Sequence, residues 1–197
     1  MEIQLKFDDF TRKAYDLGMA QDQVSFALSR ALNNAAVNAR RVLTEVTWPT
    51  SVDVHNPSFM RAALSTIFST KSDLRVVIYD RLGRADLAGH AWGGTKLPRG
   101  RQLAIPLKGK FQRGSHGIPK GQRPRALIAS TPKRALRITA KGIFIGAGGR
   151  LNLQYSFKSS ATQPADVPFE ASFQDAMLND VRTTFPSAMA SAMLSRR

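Results

Sequence analysis

The segment GIFIGAGGRLNLQYSF, residues 142–157, carries the clearest secondary-structure signal in this sequence. Ile143 leads into a glycine-rich turn, and the residues after the turn alternate between apolar and polar side chains. The apolar set is Leu151, Leu153, Tyr155 and Phe157. Because successive side chains of a strand point to opposite faces, the pattern predicts an antiparallel hairpin with one buried and one solvated face.

Four shorter segments predict further strands. Alternation of Ile3, Leu5 and Phe7 with polar residues indicates one at the start of the chain. Runs rich in apolar and β-branched residues indicate the others: DLRVVIYD at 73–80, RQLAIPL at 101–107 and RALIAST at 125–131. Pro106 has no N–H to donate to a neighbouring strand, so the run at 101–107 is expected at a sheet edge.

Residues 21–47 predict the longest helix of the N-terminal half. Their apolar residues recur at three- and four-residue spacings and form one stripe, with Arg30, Asn34 and Arg41 on the other face. The stripe is typical of a core helix, and a helix that packs between subunits is the alternative. Two shorter helices are indicated at residues 8–18, capped by Asp8 or Asp9, and at residues 56–68, which begin with Asn-Pro.

The C-terminal segment predicts a second long helix. Asp166 is the expected N-terminal cap, and Phe169, Phe173 and Met177 recur every four residues. We predict that these three side chains face the sheet. Pro186 is expected to kink the helix or restart it, because proline lacks the N–H that the helix ladder requires.

Together these elements predict an α+β fold. An antiparallel sheet is packed by a long N-terminal helix and a C-terminal helix within a single domain over residues 1–197. Glycine and proline recur every few residues over 83–125, and this stretch is predicted to be a basic excursion from the sheet.

The net charge of +15 is confined to the middle of the sequence. Residues 87–158 hold 15 Lys and Arg and no Asp or Glu. The residues proposed to contact DNA or a neighbouring protein are Lys108, Lys110, Arg113, Lys120, Arg123 and Arg125. Such a block binds phosphates by counterion release or docks on an acidic protein surface, and the sequence leaves both alternatives open. Residues 107–142 contain one aromatic residue, Phe111, so we expect no readout of bases by stacking.

Catalytic and metal-binding signatures are absent from the sequence. It has no cysteine, no G-x-S-x-G motif, and three scattered histidines, His55, His90 and His116. The glycines of GAGGR join two strands rather than a strand and a helix, so they indicate a turn and not a phosphate-binding loop. We therefore expect no enzymatic activity, no cofactor and no metal. The sequence also has no 18-residue apolar run and no secretory signal, which predicts synthesis in the cytoplasm without membrane insertion.

The order of these segments resembles the phage minor tail protein Z family, a group of tail-completion or head–tail joining proteins. The resemblance extends over most of the chain and includes the phrases RQLAIPL and LQYSFKSSATQP. Its best-matching residues are Pro168, Phe169, Phe173, Phe185, Pro186, Ala188, Ala192, Arg196 and Arg197.

This resemblance implies a structural virion protein at the head-proximal end of a tail. Its expected neighbours are the tail terminator or tube and the head connector, and its expected assembly is a homo-oligomeric ring, six-fold by family resemblance, around the DNA channel. In such rings an extension of one subunit lies on the body of the next. The alternative function is that of a non-specific nucleic-acid-binding protein that uses the basic loop.

Overall fold

The structure, a computed structural model, describes residues 1–6, 21–83, 87–98, 100–111, 113–115, 117–147 and 149–194. Where the sequence predicted one domain, contacts divide the chain into two units. The first unit combines Met1–Trp92 with Ala165–Arg197, and the second, here called the inserted unit, is Gly93–Pro164. The helix predicted at residues 8–18 and the terminal arginines lie outside the described residues.

Two long helices dominate the first unit. Helix α1, Gln21–Val42, continues through a π-helical turn, Leu43–Thr47, into the short helix α2, Trp48–Ser51. The helix predicted over residues 21–47 is therefore confirmed. The other helices of this unit are α3, Ser58–Ala63, α4, Leu87–Trp92, and α6, Phe169–Leu194. Helix α6 packs more extensively on α1 than on any other element, and it continues through Pro186 without a restart.

A three-stranded antiparallel sheet completes the first unit. Its strands are β1, Glu2–Lys6, β2, Leu64–Ile67, and β3, Arg75–Asp80, in the order β1-β3-β2. The strands predicted at the start of the chain and at 73–80 are confirmed. The helix predicted over 56–68 is too long, because it ends at Ala63 and β-branched Thr66 and Ile67 pair with β3 instead.

The core of the first unit lies between α1, α6 and this sheet. Phe169, Phe173 and Met177 are buried there in one cluster with Leu28 of α1 and Ile78 of β3. The three α6 side chains therefore have the burial that we predicted. Their helix, however, lies chiefly against α1, and the sheet forms a smaller part of its surroundings.

The inserted unit contains two further antiparallel sheets. Its strands are β4, Gly94–Lys96, β5, Leu103–Pro106, β6, Leu136–Thr139, β7, Gly142–Ala147, β8, Arg150–Lys158, and β9, Ala161–Gln163. One sheet has the order β5-β8-β7-β6, and the other pairs β4 with β9. The β7–β8 hairpin and the edge position of β5, with Pro106, are confirmed. Regular elements thus occur within the predicted excursion over 83–125.

The segment RALIAST is helical rather than extended, so its prediction as a strand is wrong. Helix α5 spans Pro124–Ser130 and has its proline at the first helical position, where the missing N–H costs nothing. The amide of Leu127 donates to the carbonyl of Arg123, and the Thr131 hydroxyl donates to the Leu127 carbonyl where the helix ends.

The alternation predicted along β8 is interrupted at Gln154. Ile143 pairs with Tyr155 and Phe144 pairs with Leu153, so Gln154 has no partner on β7. Because Ile143 and Phe144 point to opposite faces, so do their partners. Tyr155 is 1% exposed, whereas Leu151, two residues before Leu153, is 58% exposed. The single buried face predicted for β8 is therefore wrong.

Helices combined with antiparallel sheets confirm the predicted α+β class. The described strands form three sheets, where the sequence predicted one. Long-range pairing decides this partition, because strand propensity alone does not specify which strands are neighbours.

Candidate polyanion-binding surface

The formal charge of the protein is divided sharply between its two units. The inserted unit holds 15 Lys and Arg and no Asp or Glu. The first unit holds the other 14 basic residues together with all 14 acidic residues, so it is formally neutral. The whole net charge of +15 thus belongs to a unit of 72 residues, Gly93–Pro164.

No carboxylate side chain of the inserted unit can neutralise these cations, because its sequence contains none. The four ion pairs found among the described residues all lie in the first unit. Cations in one small unit repel each other, and a bound polyanion relieves that repulsion. The inserted unit therefore has the electrostatics of a polyanion-binding surface.

The six predicted contact residues lie in one segment, residues 107–125, here called the basic loop. It starts after edge strand β5, includes a 3-10 turn, Lys120–Gln122, and ends in the first turn of helix α5, which contains Arg125. All six side chains are exposed: Lys108, Lys110, Arg113, Lys120, Arg123 and Arg125. The structure thus places every one of them on the surface of the inserted unit, as a phosphate contact requires.

The basic loop is anchored on the sheet by Tyr155, a residue whose role the sequence did not reveal. The Tyr155 hydroxyl donates a hydrogen bond to the carbonyl oxygen of Gln122 at 2.9 Å. Its ring also packs against Phe111, with ring centroids 4.9 Å apart and planes inclined by 34°. Two points of the loop, one near each end, are therefore held by a single buried side chain of β8.

Electrostatics around Tyr155 link it to two loop arginines. Burial raises the pKa of the Tyr155 phenol above 10.0, and the positive charges of Arg113 and Arg123 oppose part of this shift. The phenol is thus protonated at neutral pH and available as a hydrogen-bond donor.

Backbone contacts shape the loop between these two arginines. Gly114 and Gly117 exchange a pair of backbone hydrogen bonds, at 3.1 and 2.8 Å. Gly117 has φ of 77°, a conformation that glycine adopts without the steric penalty of a side chain. Arg123 Nε donates to the carbonyl oxygen of Ile118 at 3.3 Å. His116, noted in the sequence, lies outside the described residues.

A second polar arrangement lies in the first unit. His90 Nδ1 lies 2.7 Å from Asp166 Oδ1, and the amides of Asp166 and Val167 both donate to the His90 carbonyl. The Trp48 ring meets the His90 ring edge-on at 5.3 Å and stacks on Phe169 at 6.1 Å. These contacts fasten α4 to the segment that begins α6, which is a structural role. The scattered histidines of the sequence gave no sign of this pairing, because 76 residues separate the partners.

A shallow cleft of about 240 Å³ lies on the outer side of α1. Its lining combines three arginines with Glu45. Arg61 forms an ion pair with Glu45 at 2.9 Å, and Arg40 donates to the Arg61 carbonyl at 2.8 Å. Because a carboxylate already engages this cluster, it is a weaker anion site than the inserted unit.

Among the described residues, no group of three or more His, Asp or Glu side chains is placed to hold a metal ion. No helix in that part of the chain is both long enough and apolar enough to cross a membrane.

Comparison of the chain with protein-family models, curated proteins and solved structures found no match.

Proposed function

We propose that this protein is a non-enzymatic structural component of a bacteriophage virion, located at the head-proximal end of the tail. In this proposal it completes or joins the tail to the head connector as a six-subunit ring, and the inserted unit is turned toward DNA in the channel. The observation that carries the proposal is the separation of charge between a neutral unit and a unit of +15. A ring repeats that charge around its axis.

The inserted unit suits the DNA backbone rather than its bases. Lys and Arg that neutralise phosphates release condensed counterions, which favours binding to any sequence. In the basic loop the one aromatic residue, Phe111, packs on Tyr155, so its ring is engaged within the unit. Recognition by stacking usually requires aromatic side chains that a base can reach. A protein that lines a channel for DNA of any sequence needs to bind phosphates and does not need to stack on bases.

The assignment to a phage tail rests on the family resemblance of the sequence. Several of the residues that carry it, among them Phe169, Phe173 and Ala192, are buried in the first unit. In the proposed ring, the first unit supplies the stable body of each subunit, and contacts between adjacent subunits are heterologous. The tail terminator or tube and the head connector are the proposed partners.

Mass spectrometry of purified virions tests the virion assignment. Particles of the phage that encodes this chain should contain it in a fixed ratio to the other tail proteins. Its absence from infectious particles would overturn the assignment. The native mass of the isolated protein, alone and with short duplex DNA, tests the ring: six subunits are expected in the assembled form.

A soluble, non-specific nucleic-acid-binding protein is the second candidate, favoured by the exposure of all six predicted loop cations. It predicts tight binding of duplex DNA by the monomer, lost when these residues are replaced: Lys108, Lys110, Arg113, Lys120, Arg123 and Arg125. A chain that binds DNA as a monomer and is absent from virions would favour this candidate over the tail protein.

A further inference from the structure

We propose that Arg113 and Arg123 form a two-arginine clamp for one backbone phosphate, and that Tyr155 is the positioning residue that holds the clamp together. This inference rests on the proposed contact of the inserted unit with DNA and identifies where that contact is made. Its ligand is a phosphodiester of a nucleic-acid backbone.

The first step of the argument is that the loop brings the two arginines together. They are ten residues apart in the sequence, and the chain reverses between them through the Gly114–Gly117 pair. Arg113 precedes Gly114 and Ile118 follows Gly117 across this paired turn, and Arg123 Nε donates to the Ile118 carbonyl. Two exposed cations are thus held near a common point without a carboxylate from their own unit to neutralise them.

The second step is that Tyr155 is a fixed support. It pairs with Ile143 on one side and Pro106 on the other, so it belongs to a central strand of the four-stranded sheet. Its hydroxyl bonds to the Gln122 carbonyl, one residue before Arg123. Its ring contacts Phe111, two residues before Arg113. One buried side chain therefore fixes the position of the backbone next to both Arg113 and Arg123.

The third step concerns the chemistry of the ligand. A guanidinium presents planar pairs of N–H donors that match the oxygens of a phosphate, and two such groups can both donate to the two non-bridging oxygens of one diester. The hydrogen bond from Arg123 Nε to the Ile118 carbonyl restricts the plane of that guanidinium. Preorganisation of this kind lowers the entropy lost on binding.

Substitution of Tyr155 by Phe tests the positioning role. This change keeps the ring on Phe111 and removes only the hydroxyl bond to Gln122. The expected result is a loss of affinity for a 20-base-pair duplex of about 3- to 10-fold at low salt, the range that one hydrogen bond supplies. Tyr79→Phe is the matched control in the first unit and should leave the affinity unchanged. Fluorescence anisotropy gives both affinities.

A double-mutant cycle separates positioning from general stability. In an Arg113→Ala/Arg123→Ala background, Tyr155→Phe should have no further effect on affinity, because the clamp that it positions is gone. Because the two arginines are proposed to share one phosphate, the Arg113→Ala/Arg123→Ala substitution should also reduce the slope of log K against log salt by about 1. The control Lys133→Ala/Arg134→Ala removes the same charge from the turn after α5 and should reduce both affinity and slope less.

The outcomes distinguish the two proposals. If the intact protein binds no duplex, the proposed DNA contact and the clamp are both overturned. If the protein binds duplex DNA but Tyr155→Phe has the same affinity as Tyr79→Phe, the clamp alone is overturned. The clamp alone is also overturned if Tyr155→Phe still lowers the affinity in the Arg113→Ala/Arg123→Ala background. If the Tyr155→Phe variant does not fold, the Arg113→Ala/Arg123→Ala variant provides the test. A loss of DNA affinity equal to that of Lys133→Ala/Arg134→Ala would then overturn the clamp.

Discussion

The side chains of His90 and Asp166 meet at 2.7 Å, although 76 residues separate them in the sequence. His90 lies near the point where the chain leaves the first unit, and Asp166 lies just after the point where it returns. Within the inserted unit, the adjoining strands β4 and β9 also pair. Both ends of the insertion are thus fastened side by side, which is how a domain accepts a long insertion without losing its own core.

The first prediction concerns this fastening. Asp166→Ala should lower the free energy of unfolding by about 0.5–1.5 kcal/mol, because it removes a partly exposed hydrogen bond to a half-buried histidine. Asp175→Ala, at an exposed position of α6, is the control and should be neutral or slightly stabilising, since Ala is the better helix former. Urea denaturation measures both. Equal stability of the two variants would show that the His90–Asp166 contact contributes nothing.

The second prediction concerns the core helix. Phe173 is fully buried, so Phe173→Ala should lower the free energy of unfolding by about 3–5 kcal/mol through lost burial and the cavity left behind. Leu178→Ala, on the same helix at 37% exposure, should cost less than about 1 kcal/mol. Thermal denaturation followed by circular dichroism provides the comparison. An unchanged melting temperature for Phe173→Ala would contradict the burial of this side chain.

The third prediction concerns the close approach of β7 to β8. A Cβ at Gly142 would collide with the backbone carbonyl of Tyr155, and backbone atoms cannot move aside as a flexible side chain does. Gly142→Ala should therefore destabilise the protein by roughly 1–3 kcal/mol and loosen the anchor of the basic loop. Gly100→Ala has open space around its Cβ and is the control. Protection of the Tyr155 amide from hydrogen exchange reports on this strand. Equal protection in the two variants would contradict the close contact.

The fourth prediction concerns alkaline pH. Burial raises the pKa of Tyr155 above 10.0, so the unfolded chain loses this proton at lower pH than the folded protein does. The resulting stabilisation is fully present below about pH 10 and is lost as pH rises through the folded pKa. Absorbance at 295 nm should show a phenol that titrates late in the intact protein and is missing in Tyr155→Phe. If both proteins lose stability identically above pH 10, the buried phenol has been misassigned.

Local sequence signals predicted much of the secondary structure, but they did not predict which strands pair with each other. The β7–β8 hairpin was predictable because its alternation and turn lie within 16 residues. Helix α5 carried its own start signal, Pro124, yet its apolar run was misread as a strand. The bulge at Gln154 depends on pairing with β7, which strand propensity does not encode.

The candidate site was predictable in composition and not in geometry. The absence of Asp and Glu from residues 87–158 identified the basic region and its six candidate cations directly. The anchor between Tyr155 and Gln122 spans 33 residues and joins a strand to a short 3-10 turn, Lys120–Gln122. No spacing rule brings these two residues together, so the role of Tyr155 became visible only in the fold.

The central claim is that the inserted unit, and not the first unit, contacts DNA. Its most direct test is the affinity for a short duplex between low and moderate salt, measured for two variants of equal charge loss. Lys108→Ala/Lys110→Ala/Lys120→Ala should weaken binding and reduce the salt slope by about 2–3. Arg30→Ala/Arg81→Ala/Arg182→Ala, at exposed positions of the first unit, should leave both unchanged. Equal losses in the two variants, or binding that does not depend on salt, would contradict the claim.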